Sequence, residues 1–150
     1  MPSANVCTLT CASVNSGTAV VLDSASVKYA WKNNIRVDPI ASSYALTEIE
    51  HRGWENPKFI VRGVIDSAAG ANHITEQLLK EFAKIKNETI TLIVKYGDIG
   101  NETTFTNSAG SLSNSGISVI VDDFNIDINP GSIERAHLLP YTLILVEDKV

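Results

Sequence analysis

The sequence predicts a mainly β domain of the α+β kind, an antiparallel β-sandwich or rolled barrel with one flanking α-helix over residues 72–86. Three observations carry this. Apolar runs with strand character recur at Phe59 to Asp66, Glu88 to Tyr96, Gly116 to Ile128 and Tyr141 to Glu147. A single stretch, Ile74 to Ile85, has helical spacing instead. Turn chemistry separates the strands, with Asn129-Pro130-Gly131 the plainest case. Strands covered by one helix make a two-layer domain whose edges something must pair.

A chain of 150 residues, 44% hydrophobic and 19% charged, has the size and composition to bury one core, which excludes disorder throughout. It divides into an N-terminal arm, residues 1–17, and one domain, 18–150. No run approaches the roughly 18 apolar residues of a membrane span. Met1 to Asn15 lacks the basic start and apolar stretch of a secretory signal, so the chain is expected to begin here and stay in a cytosol.

Met1 to Gly17 is rich in Ser, Thr, Asn and Ala and reads as an arm or weak edge strand that waits for a partner. Thr18 to Leu22 is a short apolar run. Val27, Tyr29 and Trp31 then alternate with polar neighbours, Asn33-Asn34 suits a tight turn, and Ile35 and Val37 alternate on the return, which predicts a hairpin. Tyr44 to Arg52 alternates too, with its apolar side ambiguous, and Gly53 to Pro57 is a turn. In the next strand Gly63 interrupts the face of Phe59, Val61 and Ile65, which implies a bulge or the close approach of another element.

Asp66 to Ala71 is a loop, and Asn72 is placed to cap the following helix. Ile74, Leu78, Leu79, Phe82 and Ile85 form one apolar stripe that packs on a sheet, with Glu76 four residues before Lys80 on the wet side and Asn87 ending the helix. Ile90, Leu92, Val94 and Tyr96 share a strand face. Asn107 to Gly116 has too few apolar groups to offset its ordering entropy and is expected to be a mobile loop that touches neighbours. In Ile117 to Ile128 the apolar face changes parity between Val121 and Phe124, predicting a bulge near Asp122. Leu143 to Val146 is apolar on both faces, as a central strand would be.

Charge is unevenly spread. The net charge is −5, yet Gly97 to Glu134 holds no Lys or Arg and six acids, Asp98, Glu102, Asp122, Asp123, Asp127 and Glu134. Such a block argues against gripping nucleic acid, because affinity for phosphates comes from Lys and Arg that displace counterions.

The chemical constellations are weaker. Cys7 and Cys11 on one strand face would stand about 13 Å apart, too far to bridge, and read as reduced small hydrophobes with no further Cys or His pair to complete a zinc site. Asp123, Asn125, Asp127, Asn129 and Glu134 match calcium-loop positions, but Ile128 stands where that loop needs Gly, and the plainer reading is the wet face of a strand. His51, His73 and His137 are scattered, and no nucleophile turn or glycine-rich phosphate loop is present. No metal, cofactor or catalytic residue is assigned. The two Asn-x-Thr triplets, at Asn87 and Asn101, mean little without secretion.

The run Phe59 to Asp66, the small-residue loop, the helix, Thr89 to Val94, Ile117 to Phe124 and Tyr141-Thr142-Leu143-Ile144-Leu145-Val146-Glu147 together resemble the tail-tube and baseplate proteins of tailed viruses and related contractile injection systems. The likeness covers Lys58 to Val150 and lies in ordered apolar patterns and the Tyr-x-Leu-x-Leu-x-Glu ending. It implies a virion tail protein, assembled in the host cytoplasm, whose rings, hexameric in the family, stack into a tube through which DNA passes without specific binding. Its partners would be copies of itself and other tail proteins such as sheath, baseplate or tape-measure. Asp123, Asn125, Asp127 and Asn129 would then face the lumen or an adjoining ring, and Asn107, Ser111, Leu112 and Asn114 would contact neighbouring subunits. The long polar start departs from the pattern and leaves a tail-tip or adaptor role as open as the repeating tube.

Two rivals stand beside this reading. One is a monomeric β-sandwich module binding carbohydrate on Trp31, Trp54 and Tyr44 as stacking platforms. The other is a small enzyme using Glu48, Glu50 and a histidine.

Overall fold

The structure, a computed structural model, describes residues 7–23, 25–39, 47–98, 100–110, 116–131 and 138–148. Ten strands and one α-helix run in the order β1 (Cys7–Thr10), β2 (Val20–Val21), β3 (Ser26–Ala30), β4 (Asn33–Pro39), β5 (Thr47–Trp54), β6 (Lys58–Asp66), α1 (Glu76–Ala83), β7 (Ile90–Tyr96), β8 (Thr103–Thr104), β9 (Ile117–Ile126) and β10 (Leu138–Glu147). The fold is mainly β with a single helix, a sandwich-like body built from an antiparallel sheet in the order β2-β1-β7-β9-β10-β6-β3, with β8 added to β7. A second sheet contains β4 and β5 alone.

The sheet has to roll. Laid flat, seven strands at about 4.8 Å spacing would put β2 and β3 about 29 Å apart, but the chain joins Val21 to Ser26 in five steps that span at most about 18 Å. The hydrogen bonds locate the closure: the Leu22 amide donates to the Cys7 carbonyl on β1, and the Asp23 carbonyl, one residue later, accepts from Val64 on β6. The outer edge of β2 is covered as well, since Val21 donates to Asn72 and accepts from Ile74.

Strand parity fills the interior. Leu9, Phe59, Val61, Ile90, Leu92, Ile117, Val119, Leu143 and Leu145 are all buried, and each such side chain contributes roughly 1.5–3 kcal/mol relative to exposure. Strand β10 is flanked by β9 and β6, in agreement with its two apolar faces. The expected bulge is present: Ile144 faces Asp123 and Leu145 faces Val121, so Asp122 is the extra residue and the apolar parity shifts there. Gly63 answers to close approach, not to a bulge, because β6 pairs with β10 in unbroken register through Gly63 and the β3 ladder, which ends at Arg62, carries no register shift. A Cβ at that position would lie 2.5 Å from the Asp23 carbonyl oxygen and 2.7 Å from the Tyr141 hydroxyl.

Four expectations need correction. Residues 7–17 do not form an arm: β1 lies between β2 and β7, and Cys7, Leu9, Cys11 and Val14 are core residues, because a strand with every second side chain apolar completes the interior despite its polar composition. Residues 1–6 lie outside the described part. Asn33-Asn34 makes no turn. Neither residue adopts positive φ, and the ladder runs on from β3 to β4 through the bond from the Glu55 amide to the Lys32 carbonyl, with Tyr29 packed at a tilt against Phe59 at 4.9 Å and Trp31 against Trp54 at 5.5 Å between centroids. The hairpin is therefore β4–β5, and Gly53 to Pro57 connects two collinear strands without reversing the chain.

The helix is also shorter than expected, and its cap is Thr75, whose hydroxyl oxygen accepts from the Leu78 amide at 3.1 Å. Asn72 has φ +66° and instead takes the Asn15 side-chain amide on its Oδ1 at 2.9 Å. The apolar stripe packs as expected, with Leu79 and Phe82 buried and Leu78 and Ile85 half-buried, and Glu76 pairs with Lys80 at 2.7 Å.

Candidate functional site

The feature that separates this molecule from a finished barrel is the β4–β5 hairpin. Strands β4 and β5 pair with each other and with no other strand of the described residues, and every side chain from Trp31 to Val37 is exposed, as are Ile49 to Arg52 and Trp54. Cross-strand register sorts the ribbon into two faces. Ile35 stands opposite His51 and Val37 opposite Ile49, while Arg36 stands opposite Glu50 on the other face. The first face is apolar and bare, with Ile35 57% exposed, Val37 51% and Ile49 65%. A two-stranded ribbon is marginal alone in water, and an apolar face of this kind gains free energy only when something covers it.

The edges are open too. Among the described residues β3 makes its ladder with β6 alone and β4 with β5 alone, on the same side, so an unpaired edge runs from Ser26 towards Pro39. At about 3.3 Å per residue it extends some 45 Å. Rows of unpaired amides and carbonyls are templates for another strand.

The hairpin's foot is aromatic. Phe105, Phe59, Tyr29, Trp31 and Trp54 form a chain of ring contacts that leads from the core to the surface, and the Trp31 indole donates to Asn33 Oδ1 at 2.7 Å. A hollow of about 280 Å³, lined by Val27, Tyr29, Phe59, Val94, Tyr96 and Phe105, lies beside it. Burial, and then the charge of Glu147, raise the Tyr29 hydroxyl above its ordinary pKa. Along the hairpin, an open groove of about 790 Å³ is lined by Lys32, Arg36 and Arg52 with Asn33, Asn34, Ile35 and Val37. No acid lines it; Glu50 lies close, paired with Arg52 at 3.3 Å.

The residues singled out in the sequence fall in different places. Asp123 and Asn125 alternate outward from β9, with Phe124 and Ile126 half-buried against the core, and Asp127 and Asn129 continue the exposed run beyond the strand. Of the loop candidates, Asn107 is half-buried in a turn whose Gly110 amide bonds the Asn107 carbonyl. Ser111, Leu112 and Asn114 lie outside the described residues, as do Tyr44, Glu134 and His137. Glu50 serves the Arg52 pair, and His51 accepts the Gly53 amide at 3.2 Å.

Both cysteines are free and buried, and burial pushes the Cys7 thiol up to about 12. Burial is also the main cause of the raised Cys11 thiol, which donates to Glu88 at 3.1 Å. The Ser13 hydroxyl, at 2.6 Å, and then that thiol hold Glu88 below the usual carboxylate range. Neither cysteine has the character of a nucleophile, which needs the thiolate.

Two polar features escaped the sequence reading. Glu147 is 1% exposed and accepts the Ser108 amide on Oε1 at 2.8 Å, which ties the start of the 107–116 segment to the end of β10. Its parity with Tyr141, Leu143 and Leu145 was the available signal. Asp23 pairs with His73 at 2.7 Å beside the barrel closure, and no sequence spacing links two residues fifty apart. Among the described residues no His, Cys, Asp and Glu come together as a three-ligand metal group, and no helix is long and apolar enough to cross a membrane. The chain matches no protein-family model and no curated protein sequence.

Proposed function

We propose that the protein is a non-enzymatic structural subunit that completes its β4–β5 hairpin by pairing with copies of itself, in rings that stack into the tube of a virus tail or related injection machine. The observation that carries this reading is the bare hairpin: an amphipathic ribbon with open edges, attached to a body whose own sheet is rolled and packed. A ring of such subunits pairs the edges and buries Ile35, Val37 and Ile49. The sequence resemblance supplies the tail-tube context, the hexameric ring and the partners: sheath, baseplate or tape-measure proteins. Asp123, Asn125, Asp127 and Asn129, exposed in a block without Lys or Arg, face the channel or an adjoining copy. A channel wall of acids gives passing DNA no counterion-releasing grip.

One observation favours a different class. Trp31 and Trp54 lie exposed in tilted contact beside a polar groove, and exposed aromatic faces of this kind suit a carbohydrate platform. Light scattering and negative-stain electron microscopy across a concentration series decide between them. Rings or tubes are expected; a strict monomer at every concentration that is retained on immobilised glycan would replace the assembly reading with the binding module.

A further inference from the structure

The hollow beside the hairpin's foot is an aromatic corner with a carboxylate behind it. Tyr29, Phe59 and Phe105 touch one another at 4.9, 4.9 and 5.8 Å between centroids, with their planes tilted by 53°, 60° and 84°. Rings set at such angles present π electron density to a shared space from more than one direction. Val27, Val94 and Tyr96 complete a lining that holds no Lys, Arg or acid, and about 280 Å³ has room only for a compact ligand. On β10 Glu147 follows Leu145 on the inner face, and Leu145 pairs with Phe59. The Glu147 side chain is buried. Its Oε1 accepts the Ser108 amide at 2.8 Å, while Oε2 has no hydrogen-bond partner among the described residues. A buried carboxylate with one bare oxygen is costly unless a positive charge lies near. Among the described residues none is supplied: Lys28, Lys58 and Lys95 adjoin the lining residues in sequence, and strand parity sends all three to the exposed outer side.

We infer that this hollow binds a small quaternary ammonium ion, with its methyl groups against Val27, Val94 and the rings, and its charge held by the π faces and the field of the Glu147 carboxylate. Attraction between a cation and an aromatic face is strongest where water is excluded, and a carboxylate behind the rings adds to it without touching the ligand. Burial, and then that carboxylate, raise the Tyr29 hydroxyl, so the field of Glu147 reaches the lining. A lining that is almost wholly apolar favours a quaternary head, which needs no hydrogen-bond acceptor, over a primary amine, whose three donors would lose water without replacement. The site belongs to the single subunit and does not depend on the assembly reading.

Two probes of one shape test it: choline, and its carbon isostere, in which a tert-butyl group replaces the trimethylammonium head. Each is titrated into the dispersed protein while the ring resonances of Tyr29, Phe59 and Phe105 are followed by NMR. Choline is expected to give a saturable shift of these rings and to bind at least about fivefold more tightly than the isostere. Glu147→Gln keeps an acceptor for the Ser108 amide but removes the charge, and should weaken choline at least about fivefold while moving the isostere less than about twofold. Phe105→Leu keeps apolar cover without a π face, and should likewise cost choline more than the isostere. Glu76→Gln, which removes an exposed carboxylate on the helix, leaves both affinities unchanged. The comparison of probes on the wild type needs no variant to fold. Equal affinity for the two probes, tighter binding of the isostere, or no saturable shift with choline overturns the cation site, and so does a Glu147→Gln protein that keeps the full preference for choline.

Discussion

The hairpin strands β4 and β5 continue β3 and β6 of the rolled body, yet the two regions obey opposite rules. Strand β6 has β10 on one side from Lys58 to Asp66 and β3 on the other from Lys58 to Arg62, and its inward residues Phe59, Val61 and Ile65 are buried. Between Thr47 and Trp54 the preceding strand has one neighbour, and Ile49 is among the most exposed apolar side chains of the subunit. Both stretches have strand character in the sequence, β6 through its apolar run and β5 through its alternation. A period-two pattern therefore specifies a strand with an apolar face, but not what covers that face. In the body the cover is the rest of the sheet and α1; on the hairpin it has to come from outside.

That contrast can be broken at either end. The largest effect is expected in the core, where Phe59→Ala costs about 3–5 kcal/mol through lost burial and a residual cavity, whereas Ile49→Ala in the dispersed subunit stays within about 0.5 kcal/mol. Urea unfolding of the two variants measures the difference directly. Gly63→Ala comes next: the new methyl group would press on the Asp23 carbonyl at the barrel closure, and a loss of about 1–3 kcal/mol is expected, with weakened protection of the Val64 amide in hydrogen exchange. Thr75→Ala removes the helix cap and lowers stability by about 1 kcal/mol, read as a shift in the urea midpoint.

The smallest effect at neutral pH comes from Cys7, whose thiol titrates near 9 when unfolded and at about 12 in the core. A group that loses its proton more readily in the unfolded chain leaves stability intact below pH 9 and erodes it as pH rises from there towards 12. Cys7→Ala should flatten that alkaline decline, and in the native wild type the thiol should resist alkylation at pH 8.

Much of the body was legible in the sequence. The strand over Phe59 to Asp66, the apolar stripe of the helix, the bulge at Asp122 and the central position of β10 all follow from periodicity, because in each case local pattern and burial agree. What was misread had a tertiary cause. Cys7 to Val14 looked like an arm because Met1 to Gly17 as a whole is rich in Ser, Thr, Asn and Ala, although Cys7, Leu9, Cys11 and Val14 are all inward. Asn33-Asn34 carried turn chemistry, but the ring contacts of Tyr29 and Trp31 with the opposite strand hold the chain extended through it. The hairpin's bare face was half visible: Ile49 and His51 shared one face of their strand, and only the register opposite Ile35 and Val37 shows which side of the ribbon is apolar. The cationic groove was not visible at all, since Lys32, Arg36 and Arg52 come together only when β4 and β5 pair.

Hydrogen exchange of the hairpin amides, Asn33–Pro39 and Thr47–Trp54, measured in dispersed and concentrated protein, tests most directly whether copies of the subunit complete it. In the dispersed protein these amides should exchange far faster than those of Leu138–Glu147, and on concentration the outward-facing amides of β4 and β5 should gain protection of at least about tenfold while those of β10 stay unchanged. Protection of the hairpin that is already high in the monomer, or that stays low in every assembled particle, would contradict the account.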